Sequence, residues 1–241
     1  VKLSKDKEIH RYSNKNLAGI SPLLYDLQTY FLQVNTLASL PKTDKPDLDT
    51  IKVLSKHALQ MIDYALLSID TMQGQLALEN VSASALTQEV AGSLYSLAKA
   101  YNVELDVDIT KKLEPIYTNK LAAKGILYGL ATSLITKARE SSSAKHRPQI
   151  ILAAQETTPK TQRLGIYSPN LNISPSIIKS TQKLILSARS IAPSDFNHSG
   201  LGLMVSDNLS RHIGNGLQRF KHRGNKGVGF YVPLSSQLSF V

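Results

Sequence analysis

Leu17, Ile20, Leu24, Leu27, Phe31 and Val34 recur at spacings of 3, 4, 3, 4 and 3. This heptad seam confines the segment to one helix whose narrow apolar edge requires a partner helix. The polar run 41–47, with Pro41 and Pro46, breaks it. Asp47 or Asp49 then caps a second helix, its carboxylate near the positive helix end. There Ile51, Leu54, Ala58, Met61, Ala65 and Met72 keep the seam, with Ser68 as a polar interruption. The two helices predict an antiparallel hairpin. Off the seams, Leu23, Tyr30, Leu37, Ile62, Leu66 and Ile69 need a further cover. A second hairpin, giving a four-helix dimer, supplies one; the chain's own second domain is the alternative.

After Gly74 the period changes. Leu76 to Leu78 reads as a short extended piece, and Ser82 or Ser84 caps a helix carrying Leu86, Val90, Leu94, Leu97 and Tyr101 on one face. Val103 to Ile109 alternates apolar and polar residues, as a strand does. An apolar helix follows over about 120–141. Ile150 to Ala153 and Arg163 to Tyr167 predict two strands joined through the turn-prone 157–160. Residues 174–199 are polar and carry no assignment. Gly200-Leu201-Gly202-Leu203 runs into a helix ending near Gly214, and strands over 217–220 and 228–232 form a closing hairpin. The fold class expected is α+β: a helical hairpin over 1–74, then an α/β sandwich of helices on a mixed sheet over 75–241.

Composition excludes several chemistries. The chain has no Cys, hence no disulfide, thiolate metal site or Cys nucleophile. The longest nearly apolar stretch, 125–135, falls well short of the ~20 residues that cross a bilayer. A cytoplasmic protein is expected, and the start at Val1 rather than Met implies an upstream region, such as a sensor or an inner-membrane tether. Lys+Arg 28 against Asp+Glu 18 gives a net charge of +10, which calls for an anionic partner without choosing among nucleotide, acidic protein, membrane and nucleic acid. His146, His198, His212 and His222 have no metal-ligand spacing, and His57 lies beside its helical seam, where it packs.

The order of elements resembles the transmitter core of bacterial sensor histidine kinases: a dimerising hairpin followed by an ATP-binding sandwich of the type shared with gyrase and Hsp90 chaperones. Three strings carry the resemblance, residues 62–74 (the end of the second hairpin helix), Gly200-Leu201-Gly202-Leu203 (the second glycine box) and Gly227 to Leu234 (the closing strand). The resemblance implies a nucleotide site at Gly200, Leu201, Gly202 and Leu203, because backbone N–H groups at a glycine-rich helix start attract phosphate. ATP or ADP is the implied ligand.

Other family motifs have changed. The first glycine box aligns with Ser168 to Ile173; Ser168 replaces the Asp that accepts from the adenine amino group, and Asn170 and Asn172 replace the glycines. The family's magnesium-ligating Asn aligns with Lys137. An ammonium about 4 Å from a divalent ion is repelled by roughly 8 kcal/mol at an effective dielectric of ~20, which disfavours magnesium. Lys137 then either contacts phosphate directly or is a solvated surface lysine, with Glu140 one turn on as a partner. The phosphoacceptor slot falls on Leu17 or Ala18. Upstream, residues 8–17 are similar to a second subfamily's hairpin start, which makes His10 a candidate acceptor and Asn14 a residue to orient water, although Arg11 occupies the acceptor position proper.

Three functional readings follow. The first is a catalytically degenerate homodimeric scaffold that binds a response regulator or another histidine kinase. The second is a divergent active kinase or histidine phosphotransferase using His10. The third is a nucleic-acid or membrane-surface binder built on Arg211, Arg219, Lys221, Arg223 and Lys226, ranked last because no aromatic platform accompanies the charge beyond Phe220 and Tyr231.

Overall fold

A computed structural model describes residues 31–34, 36, 48–71, 76–110, 112–141, 147–169 and 200–235. The first seam up to Leu27, together with His10, Asn14, Asn170 and Asn172, lies outside the described residues.

Helix α1 spans Leu48–Asp70, with Asp49 in its first turn. Strand β1 (Glu79–Val81) pairs with β3 (Ile116–Thr118) in a two-stranded antiparallel ribbon. Helix α2 spans Ala83–Ala100, and the Ser82 hydroxyl accepts from the Ala85 N–H at 3.3 Å as its N-cap. At its other end Asn102 takes φ of 55°, and the N–H groups of Asn102 and Val103 donate to the carbonyls of Lys99 and Ala98. This is a Schellman ending with Asn in place of glycine, and it turns the chain into β2 (Glu104–Ile109). The stripe expected on α2 is buried throughout: Leu86, Val90, Leu94, Leu97 and Tyr101.

Helix α3 (Lys120–Ser141) starts where the Asn119 side chain accepts from the Ala122 N–H at 2.8 Å. Strands β4 (Gln149–Thr158) and β5 (Thr161–Ser168) turn at Pro159-Lys160, each longer than its apolar run implied. Helix α4 spans Gly200–Ile213, and β6 (Gln218–His222) and β7 (Asn225–Pro233) close the fold. Their two-residue turn puts Arg223 and Gly224 both at positive φ, 46° and 83°, as a tight hairpin requires.

The five-stranded sheet has the order β2-β4-β5-β7-β6, with β2 parallel to β4 and the other pairs antiparallel. Alternate residues line its inner face: Ile150, Leu152 and Ala154 on β4, Leu164 and Ile166 on β5, and Val228, Phe230 and Val232 on β7, all buried. Helices α3 and α4 cover that face. Helix α3 carries buried residues on nearly every side, because it is enclosed by the sheet, α4, α2 and α1.

Helix α1 lies on the helical layer of the sandwich. Asn208 of α4 donates to both the carbonyl and the hydroxyl of Ser68, each at 2.7 Å. His57 is hydrogen-bonded through Nδ1 to the Tyr128 hydroxyl, and the two rings stack with centroids 5.6 Å apart. Tyr64 packs on Tyr128 at 5.3 Å. Leu54, Ala58, Met61 and Ala65 join the same buried cluster as the sandwich core. The sandwich therefore covers this side of α1. Of the off-seam residues, Ile62 and Ile69 are partly covered and Leu66 stays 51% exposed.

Burial lowers the pKa of His57 to about 4, with Lys56 adding a smaller push in the same direction. Between pH 4 and the unfolded value of about 6.5 the unfolded chain therefore binds a proton that the folded chain refuses. Unfolding free energy measured by urea titration is expected to be level above pH 6.5 and to fall by up to about 3 kcal/mol on acidification to pH 4. His57→Phe should flatten that stretch of the profile.

Candidate functional site

Helices α3 and α4 run antiparallel in tight contact. Ser206 donates to the Ile126 carbonyl at 2.9 Å and to the Gly202 carbonyl at 2.6 Å. A methyl at Gly129 would sit 2.6 Å from the Gly202 carbonyl oxygen, and one at Gly202 would strike the Gly129 carbonyl and the Ser133 hydroxyl. Further along, a methyl at Gly125 would meet Leu209 and Tyr64, each inside 3.0 Å. This register sets the first turn of α4 level with Ser133, one turn before Lys137 on α3.

The run Gly200-Leu201-Gly202-Leu203 is therefore the first turn of α4 itself, where a turn ahead of the helix had been expected. Leu201 and Leu203 are buried, and Gly202 is fixed by the helix crossing. Lys137 is half-buried and makes no ion pair among the described residues; the Glu140 side chain lies outside them. Ser168 ends β5 on the inner face, buried, with its hydroxyl donating to the Gln149 carbonyl at 2.7 Å. Gln149 opens β4, so the start of β4 and the end of β5 share one edge of the sheet. The ladder adds lysines to that edge, since Ser168 pairs with Lys226, and Lys226 pairs in turn with Lys221. The structure thus places Ser168 beside Lys226 in the sheet, and Lys137 one turn beyond Ser133, which faces the first turn of α4. Among the described residues no group of three or more His, Asp or Glu side chains is placed to hold a metal.

A second polar constellation, on the outer face, escaped sequence reading. His222 is the buried last residue of β6. Its Nε2 donates to Asp108 of β2 at 2.7 Å, although β2 and β6 are opposite edges of the sheet. Gln155 turns its amide nitrogen to His222 Nδ1 at 2.6 Å and its carbonyl oxygen to Arg163 Nε at 2.9 Å, because a guanidinium can only donate. Arg223 adds a 3.0 Å ion pair to Asp108. Tyr167 lies 5.0 Å from the His222 ring, and burial pushes its phenol up to about 12. Gly165, Gly227 and Gly229 leave the middle of this face without side chains, which makes room for the bridge. The partners are 114 residues apart, so no local pattern announces them.

No protein-family model matches the chain, and no curated protein matches it. Among solved structures, the nucleotide-free catalytic domain of histidine kinase ThkA is 12% identical, with a TM-score of 0.49 over 66% of this chain and 97% of that one. The Acinetobacter baumannii histidine kinase AdeS is 18% identical, with a TM-score of 0.48 over 91% of this chain and 98% of that one. Full-length ShkA in complex with AMPPNP is 16% identical, with a TM-score of 0.49 over 97% of this chain and 45% of that one. Among the described residues no helix is long and apolar enough to cross a membrane.

Gly202→Ala and Gly129→Ala each force a methyl against backbone, and each is expected to lower stability by about 1–3 kcal/mol. Thermal unfolding of the single variants checks this; an unchanged midpoint for both would show that the helices do not touch here.

Proposed function

We propose that this chain is a histidine-kinase-like signalling protein that has kept the dimeric scaffold and lost ATP-driven autophosphorylation. The observation that carries the reading is Lys137, a half-buried residue one turn along α3 from Ser133, which faces the start of α4. In the kinase pattern this position holds a ligand for magnesium. The donor set does not fit that ion: the position offers an ammonium, which carries no lone pair to give a metal. No step through magnesium is therefore derived.

The adenine end supports the same reading. Ser168 is neutral where the family has a carboxylate, and its proton is engaged with a backbone carbonyl. The second glycine box has a structural reason to persist without nucleotide, because Gly202 is required by the helix crossing. With chemistry set aside, the remaining work is binding. The hairpin helices would pair two copies through Leu66 and its neighbours Ile62 and Ile69, and the assembled dimer would bind a response regulator or another kinase.

Calorimetric titration with a non-hydrolysable ATP analogue is expected to show affinity no greater in magnesium than in EDTA. A tenfold gain on adding magnesium, or radiolabel from ATP appearing on any histidine, would overturn the proposal. Leu66→Glu is expected to turn the species seen in sedimentation velocity from dimer to monomer, with the fold retained in circular dichroism.

A further inference from the structure

Four basic side chains are exposed on the β6–β7 hairpin: Arg219, Lys221, Arg223 and Lys226. Their arrangement is fixed by the ladder. Gln218, Phe220 and His222 turn toward the outer-face cluster, where Phe220 meets Arg163 at 4.6 Å and Tyr231 at 5.0 Å. Arg219 and Lys221 alternate with them and project together from the opposite side, about 7 Å apart at the rise of a strand. Lys226 stands directly across from Lys221 in the register. Like charges in direct cross-strand opposition repel. Among the described residues no carboxylate relieves this pair, and Arg219 has no ion pair there either. Asp108, the carboxylate beneath the turn, is already taken by His222 and Arg223.

We infer that this hairpin is a docking surface for an extended acidic segment of a partner protein, read by side chains at alternate positions. An extended peptide with carboxylates at i and i+2 repeats the spacing of Arg219 and Lys221, and a carboxylate reaching the Lys221–Lys226 pair cancels the repulsion built into the ladder. Arg219 and Lys221, about 7 Å apart on one side of the strand with Lys226 across from Lys221, offer successive contacts to an extended anion. Other polyanions fit less well. Base stacking has no open ring here, because Phe220 is covered by Arg163 and Tyr231. A lipid surface has nothing to receive, because none of the exposed large apolar side chains lies on β6 or β7. The surface is built from Arg219, Lys221 and Lys226 and uses neither Lys137 nor the start of α4, so the inference does not depend on the kinase-like reading.

The test uses fluorescence anisotropy on the full chain at low salt. The probes are a labelled decapeptide alternating Glu and Thr, and one of identical composition with its five glutamates in a block. The alternating peptide is expected to bind at least tenfold tighter. Arg219→Gln/Lys221→Gln should weaken it at least tenfold while thermal unfolding stays unchanged. Equal affinity for the two peptides, no binding of either, or a double variant that binds as well as the parent overturns the inference. Tighter binding of oligouridylate or of phosphatidylglycerol vesicles, lost in the same variant, also overturns it by showing a generic polyanion surface.

Discussion

The close approach of α3 and α4 at Gly129 and Gly202 is the contact on which the rest of the molecule is arranged. Neither residue has a β-carbon, so the backbones meet, and Ser206 satisfies carbonyls on both helices. With the helices this near, they form one layer that fits the inner face of the sheet. That layer in turn presents Tyr128 and Asn208 as anchors for α1. A single added methyl at the crossing would reach the sheet packing, the seat of α1 and the first turn of α4.

The parts of this fold set by local rules were legible in the sequence. Ser82 as a cap, the stripe from Leu86 to Tyr101, the alternation over 103–109 and the apolar helix at 120–141 each follow from the period of side chains along one element. What could not be read is what depends on register between distant strands. Nothing near His222 announces Asp108, and Lys221 and Lys226 become neighbours only once the turn at Arg223-Gly224 fixes which residues face each other. The second glycine box shows a further limit: a glycine that admits a phosphate and a glycine that admits another helix look alike in sequence, and here Gly202 faces Gly129. His10 and Asn14 stay as sequence readings, lying outside the described residues.

The excess of positive charge now has an address. Lys226 and Lys221 face each other across the ladder, Arg219 continues their row along β6, and the nearby carboxylate Asp108 is spent on His222 and Arg223 at the outer face. Such a distribution favours anions of some length over a metal-bound nucleotide, so the two proposals meet on electrostatic grounds while resting on different residues.

The bridge from Asp108 to His222 also has a meaning in time. It ties the first strand of the main sheet to the last but one, so ribosomal synthesis must pass 114 residues before the two can meet. Until then β5 has no strand on its β7 side, and Asp108 and Gln155 lack their partner His222, a state that invites pairing with other chains. Contacts of such sequence separation also slow folding. The cell-level cost of this sheet is thus a delay: the nascent chain depends on a hairpin that emerges near the end to close what its early strands began.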